Sequence, residues 1–171
     1  MQKPGKIIPI LIGALVIDVI SSIPVLNLLN FFFCAGVIAG GIAGVYYYDK
    51  KLKAAGLPLT YKDGAIIGGM SGLVSAAALI LFVTGAVLFL KILDVNLGSI
   101  INDIFSKFGI PSGRSGLTRR IVEEYRKYGF SITHIIVTSA VYGIFYPLFG
   151  LAGGILGVAF FSRKNNSVKS I

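Results

Sequence analysis

The sequence predicts an all-α, polytopic membrane protein: four transmembrane helices in a glycine-packed bundle, with a long third connection that holds short amphipathic helices. Three observations lead to this prediction. The 171 residues are 55% hydrophobic and only 13% charged, about half the charged share that is usual in soluble domains. Four apolar stretches approach or exceed the roughly 20 residues that cross a bilayer core. Glycines recur at four-residue intervals in three of these stretches.

The predicted helices form a single membrane domain, residues 1–171. They cover residues 7–26, 31–48, 64–92 and 131–161, and an extramembrane connection covers residues 93–130. Backbone groups in lipid must be paired within the segment, so each stretch is expected to be helical. Asp18 interrupts the first stretch and no small-residue cleavage motif follows it, which favours a retained helix over a cleaved signal peptide.

The long connection shows two amphipathic helical patterns, separated by the segment 109–113. In the first, apolar residues recur at helical spacing, a pattern that can lie in the headgroup layer. In the second, Arg119/Glu123 and Arg120/Glu124 are spaced at i,i+4, where opposite charges attract.

Topology follows from the placement of Lys and Arg. The formal net charge is +9, and it is spread over both termini and two connections, which argues against a nucleic-acid partner. Nine of the 16 basic residues fall on the side of the termini and seven in the third connection. Around the first hairpin, Lys3, Lys6 and the cluster 50–53 face a turn without any basic residue. This contrast predicts cytoplasmic N- and C-termini. The expectation of a prokaryotic plasma (inner) membrane rests on the resemblance given below.

The glycines of three predicted helices form rows that are expected to pack helix against helix. Small residues at i,i+4 allow two helix backbones to approach closely, which drives association in lipid. The predicted helix-packing residues are Gly36, Gly40 and Gly44 in the second helix, Gly64, Gly68 and Gly72 in the third, and Gly150, Gly153, Gly154 and Gly157 in the fourth.

Asp18 and His134 are the candidates for ion or proton coupling. A carboxylate inside a span is costly unless it is paired or protonated, which marks Asp18 as a functional hypothesis. The alternative is a structural carboxylate near the interface, and for His134 an interface residue at a helix end. By depth, Asp18 is expected to lie level with the fourth helix near residues 138–142. Pro147 is expected to kink that helix, freeing the carbonyl of Gly143, with a gating hinge as the alternative.

The sequence offers no set of residues for catalysis, a metal or a cofactor, so no enzymatic activity and no cofactor are expected. One cysteine, Cys34, excludes an intramolecular disulfide. One histidine excludes a multi-histidine metal site. No Gly-rich phosphate loop follows a strand pattern.

Several short motifs resemble those of uncharacterised glycine-rich small prokaryotic integral membrane proteins with four helices. The resemblance covers the second, third and fourth helices and implies architecture without adding a mechanism. It is carried by Leu26-Asn27, Cys34, Gly40-Gly41 and residues 45–48, by Asp63-Gly64-Ala65, Gly68-Gly69 and Gly72-Leu73, and by Phe149-Gly150, Gly153-Gly154, Gly157 and Phe160-Phe161.

Two functions remain open from the sequence. The first is a non-enzymatic helical bundle for structural, lipid or partner interaction, with the bilayer, a second copy or other membrane proteins as partners. The alternative is a small proton- or ion-coupled transporter or channel that uses Asp18. A substitution of Asp18 by Asn separates the two, because only the second function depends on the carboxylate.

Overall fold

The computed structural model describes residues 3–23, 30, 34–93, 95, 97–107 and 116–167. These residues contain helices and no strand, which confirms the all-α class. The helices are α1 (Ile7–Ser22), α2 (Ala35–Ala54), α3 (Tyr61–Ile92), α4 (Leu97–Lys107), α5 (Gly116–Tyr128) and α6 (Ile132–Ser167).

Among the residues that the structure describes, two helices are long and apolar enough to cross a membrane. They are Tyr61–Ile92, with a mean hydropathy of 2.6 in its most apolar window, and Ile132–Ser162, with 1.9. Only 22% and 33% of these windows are buried inside the protein. Their apolar side chains therefore face mostly outward, whereas the core helix of a soluble protein buries them.

The first helix ends at Ser22, four residues before the predicted end. Ile23 has an extended backbone (φ −90°, ψ 116°) and directly precedes Pro24. The proline ring disfavours the helical conformation for the residue before it, which explains the early end. The predicted residues 24–26 lie outside the described part of the chain.

The second helix continues to Ala54, beyond the predicted end at Tyr48. Its extension carries Asp49, whose carboxylate lies 2.5 Å from the ammonium of Lys53, one turn later. This i,i+4 pair stabilises the additional turns of the helix. The prediction missed these turns because their residues are charged rather than apolar. Gly56 then takes a left-handed conformation (φ 67°), a common way of ending a helix. The predicted start, residues 31–33, lies outside the described residues.

The two long helices begin with side-chain caps. Thr60 precedes α3, and its hydroxyl accepts a hydrogen bond from the Asp63 backbone N–H (3.3 Å), while Asp63 Oδ2 accepts one from the Thr60 N–H (3.3 Å). This reciprocal pair is a capping box. Ser131 likewise precedes α6 and accepts a hydrogen bond from the His134 N–H (3.0 Å). The third helix thus starts at Tyr61 rather than at residue 64, and α6 runs to Ser167 rather than to residue 161.

The chain forms two compact units. The first consists of Met1–Ala78 and Tyr142–Ile171, and the second of Leu79–Val141. The core of the first unit is built by α2, α3 and α6, with the fully or almost fully buried side chains of Val45, Tyr48, Leu52, Ile67 and Val158. In the second unit, α5 buries Val122 and Tyr125.

Candidate functional site

The glycine rows lie in the interior of the first unit. All ten glycines singled out in the sequence are buried. A Cβ atom on any of them would come within 3.1 Å of an atom of another element. At most of these positions the opposing atom belongs to a backbone, which cannot move aside as a flexible side chain can.

The contacts between α1 and α2 show that these helices run in opposite directions. Gly36 faces Ile20, Gly40 faces Ile17 and the Gly13 carbonyl, and a Cβ on Gly44 would lie 2.9 Å from the Pro9 carbonyl oxygen. Residue numbers thus rise along α2 as they fall along α1. The two helices form an antiparallel hairpin, as the short predicted turn implies.

Helix α6, which corresponds to the fourth predicted transmembrane helix, packs against both α3 and α2. Gly64 faces Gly154 and Val158, and Gly72 faces Tyr146 and Pro147, so α3 and α6 are antiparallel. Between α2 and α6 the order is the same on both helices. Gly153 faces Ile38, and a Cβ on Gly157 would lie 3.1 Å from Val45 Cβ, so these two helices are parallel.

Asp18 receives a hydrogen bond from a buried serine of α3. The Ser75 hydroxyl donates to Asp18 Oδ1 over 2.5 Å. Ser75 is fully buried, while Asp18 is partly exposed. One turn earlier on α3, the Ser71 hydroxyl donates to the Ile10 carbonyl (3.0 Å). The two serines therefore join α1 to α3, and Asp18 is the only acidic group among the four residues.

A second polar contact lies one turn beyond Asp18. The Ser21 and Tyr146 hydroxyls are 3.0 Å apart, and the Asn30 side-chain amide donates to Ser21 (3.2 Å). The Tyr146 ring packs against Tyr142, with ring centres 4.9 Å apart. Since Ser21 already meets Tyr146, the level of α6 that faces α1 lies further along the chain than the predicted residues 138–142.

Asp63, at the start of α3, forms ion pairs with the two N-terminal lysines. Its carboxylate lies 2.8 Å from Lys3 Nζ and 2.7 Å from Lys6 Nζ, and only 3% of its side chain is exposed. The Thr60 hydroxyl donates a third hydrogen bond (2.6 Å). The hydrogen bond with Asp63 raises the pKa of Lys3. Nearby, the Tyr48 hydroxyl donates to the Pro4 carbonyl (3.4 Å), which also holds the N-terminal segment in place.

His134 belongs to the second unit, where it contacts α5. Its Nδ1 atom lies 2.6 Å from the Tyr125 hydroxyl, and burial raises the pKa of Tyr125. The histidine also lines a cavity of about 10 Å³, the space of about one water molecule. The contact between His134 and Tyr125 joins α6 to α5.

Glu124 caps the start of α6 from the neighbouring helix. It accepts hydrogen bonds from the Ser131 hydroxyl (2.8 Å), the Thr133 N–H (2.9 Å) and the Thr133 hydroxyl (2.6 Å). Arg120 Nε donates a further one (3.0 Å). The Thr133 hydroxyl contributes most to lowering the pKa of Glu124 from 4.5 to about 2. A negative charge at a helix N-terminus is also favoured by the helix dipole.

Pro147 and Cys34 are two further residues that the sequence analysis named. Pro147 lies inside the continuous α6, against Gly72 of α3. Cys34 is a free thiol with a left-handed backbone (φ 51°) at the start of α2. Within the described ranges, no three His, Cys, Asp or Glu side chains come together in a way that could hold a metal ion.

Sequence reasoning named Asp18, His134 and the glycines. It missed Ser75, which donates a hydrogen bond to Asp18, and Tyr125, whose hydroxyl contacts His134. Ser75 gave no detectable pattern, since a serine in an apolar helix is common. The caps of the two long helices, by contrast, could have been found. Thr60-x-x-Asp63 ahead of an apolar run is a capping pattern, and Ser131 directly before an apolar helix is an N-cap pattern.

Comparison of the chain with protein-family models, with curated proteins and with solved structures found no match.

Proposed function

We propose that this protein is a non-enzymatic integral membrane protein, in which α1, α2, α3 and α6 cross the bilayer as a glycine-packed bundle for structural, lipid or partner interaction. The observation that carries the proposal is the distribution of side-chain size. Glycine and serine lie at the closest helix contacts of the first unit, and many large apolar side chains are exposed on its surface.

The outer surface supports a lipid environment. Leu15 of α1 is 63% exposed, Leu73 of α3 is 48% exposed and Leu151 of α6 is 40% exposed. Leaving such a side chain in water forfeits about 1.5–3 kcal/mol of burial. In lipid this cost disappears, and helices instead associate through close backbone contact between small residues. Both features therefore have one explanation in a membrane.

The helix directions support four crossings with both termini on one side. Within the first unit α1 and α3 run one way, and α2 and α6 run the other way. The 16 residues of α1 span about 24 Å, somewhat less than the roughly 30 Å hydrocarbon core. A bilayer accommodates a mismatch of this size by local thinning. Lys3, Lys6 and the lysines of residues 50–53 assign this shared side to the cytoplasm.

Single-cysteine labelling in intact cells tests the four crossings. Cys34 is first replaced by Ser, and Gly5→Cys, Ile23→Cys, Ala55→Cys or Arg119→Cys is then introduced singly. We expect the cysteines at positions 23 and 119 to react with a membrane-impermeant maleimide from outside, and those at 5 and 55 to react only after permeabilisation. Equal accessibility at positions 5 and 23 would rule out α1 as a crossing helix. Release of the protein by alkaline carbonate would rule out integration altogether.

The second candidate function is proton- or ion-coupled transport through Asp18. The specific observation in its favour is the hydrogen bond to Ser75, which holds the carboxylate of α1 against a fully buried serine of α3. A carboxylate in such a place can take up and release a proton or bind a cation.

Flux measurements in proteoliposomes test this second function. With a proton gradient imposed, Asp18→Asn should abolish proton flux and Ser75→Ala should change its pH dependence. Ser71→Ala is the matched control, because it removes an equally buried serine that bonds a backbone carbonyl instead of Asp18. Flux in the Asp18→Asn variant equal to that of the wild type would exclude a role of this carboxylate in transport.

A further inference from the structure

The end of α2 presents a face of two lysines and two tyrosines, of which Tyr46 and Lys50 are exposed and Tyr47 and Lys51 are half-buried. Lys50 Nζ lies 4.8 Å from the centre of the Tyr46 ring, and Lys51 Nζ lies 5.2 Å from the centre of the Tyr47 ring. Both pairs are spaced at i,i+4, so the backbone of each lysine lies about 6 Å further along the helix axis than that of its tyrosine, and the lysine side chain reaches back over the ring. We call these four residues the lysine–tyrosine face.

One ring of this face packs against a neighbouring helix. The Tyr46 ring contacts Phe161 of α6, with ring centres 5.4 Å apart. Tyr46 nevertheless remains 46% exposed. The face thus combines an aromatic platform, one ring of which packs on α6, with an ammonium group near each ring.

Acidic groups do not neutralise this face. Asp49 directly precedes Lys50 in sequence, but it is 3% exposed and pairs with Lys53. Asp63, likewise buried, pairs with the N-terminal lysines. Within the part of the chain that the structure describes, neither Lys50 nor Lys51 has an ion-pair partner. The exposed surface here is therefore cationic only.

The basic surface of α5 differs in this respect. Arg119 pairs with Glu123, and both side chains are well exposed, at 70% and 60%. A negative charge thus accompanies the arginine on the surface and weakens its attraction for an external anion. An external anion therefore gains more favourable interaction energy at the lysine–tyrosine face than beside Arg119.

We propose that the lysine–tyrosine face binds the headgroups of anionic phospholipids. This inference rests on the proposed membrane function, in which the apolar part of α2 ends where the face begins. Tyrosine rings are favoured at this depth, and lysines extend toward the headgroups. Each lysine beside an anionic surface contributes a favourable charge interaction. The aromatic platform favours a lipid over free phosphate, because it contacts the apolar region below the headgroup.

The experiment uses the full-length protein in nanodiscs of phosphatidylcholine, with and without phosphatidylglycerol. Native mass spectrometry measures the affinity for retained phosphatidylglycerol. Lys50→Gln/Lys51→Gln should reduce this affinity by about 30-fold, from a contribution of about 5-fold for each lysine. Lys107→Gln/Lys127→Gln removes the same charge elsewhere and should leave the affinity within about 2-fold of the wild type. Lys50→Arg/Lys51→Arg should retain binding.

Two results would overturn the inference. One is an equal loss of affinity in the glutamine variant of the face and in the control variant. The other is full displacement of phosphatidylglycerol by inorganic phosphate at matched charge, which would leave no role for the lipid. Incorporation into phosphatidylcholine nanodiscs without selectivity for phosphatidylglycerol would leave the proposed membrane function intact while refuting this site. Failure to incorporate at all would refute both.

Discussion

Two adjacent glycines of α3 allow the close packing of α3 and α6 to be tested with a single methyl group. A Cβ on Gly68 would overlap the carbonyl oxygen of Gly150, and it would lie 2.8 Å from both Gly154 Cα and N. A Cβ on Gly69 would instead find its nearest neighbour, Leu151 Cβ, at 3.7 Å, an ordinary van der Waals distance. The two positions share a helix and a depth, so Gly69→Ala is a matched control for Gly68→Ala.

The expected effects have opposite signs. Replacing a helical glycine by alanine stabilises the helix by about 1 kcal/mol where space is available, because alanine restricts the unfolded chain. We therefore expect Gly69→Ala to be neutral or to gain up to about 1 kcal/mol. At Gly68 the methyl group meets backbone atoms, so α6 must move away. Overpacking of this kind costs about 1–3 kcal/mol, and the loss of adjacent backbone contacts places the expected cost at the upper end.

The free energy of unfolding in mixed micelles, measured by titration with a denaturing detergent, provides the assay. A difference of about 3 kcal/mol between the two variants would correspond to more than a 100-fold change in the unfolding equilibrium. Equal stability of Gly68→Ala and Gly69→Ala would refute the reasoning, because it would show that α3 and α6 do not approach closely at Gly68.

Two further predictions concern the charged clusters. The folded pKa of Glu124 lies at about 2, below the ordinary 4.5. The contribution of Glu124 to stability is therefore complete above pH 4.5 and is lost as the pH falls toward 2. The thermal unfolding temperatures of the wild type and of Glu124→Gln should converge at the acid end of this range, and parallel curves would contradict the prediction. Asp63→Asn removes the partner of Lys3 and Lys6 and should lower the free energy of unfolding by about 1–3 kcal/mol, whereas a conservative Lys3→Arg exchange should leave it nearly unchanged by the same measurement.

The helices could be predicted from their apolar runs, but their ends could not. The end of α2 is the clearest example, since a hydropathy pattern stops at the first charged residue while the helix continues through Asp49 and Lys53. Whether a charge ends a helix depends on its partner, and an i,i+4 partner favours continuation. The end of α1 at Ser22 could have been predicted, because Pro24 restricts the residue before it.

The partners of the candidate site depended on helix register, which the sequence leaves open. Depth counting placed Asp18 level with residues 138–142 of the fourth helix. The contact between Ser21 and Tyr146 shows a different offset, and Ser75 of α3 supplies the hydrogen bond to Asp18. An error of one turn, about 5 Å, exchanges one set of polar neighbours for another. The prediction that the glycine rows lie at helix contacts does not depend on the register, because a row of glycines presents the same surface at every turn.

The ion pairs of Asp63 join residues that are synthesised at different times. Asp63 has not yet been synthesised when the ribosome has completed the first helix. In the proposed membrane protein, Lys3 and Lys6 would therefore meet the insertion machinery as free cations, which favour a cytoplasmic N-terminus. Some 40 residues later the carboxylate emerges and can pair with both lysines. Under this proposal the same two lysines first orient the nascent chain and then fasten its beginning to α3. Removing Asp63 should therefore weaken the finished fold and leave the orientation of the chain unchanged.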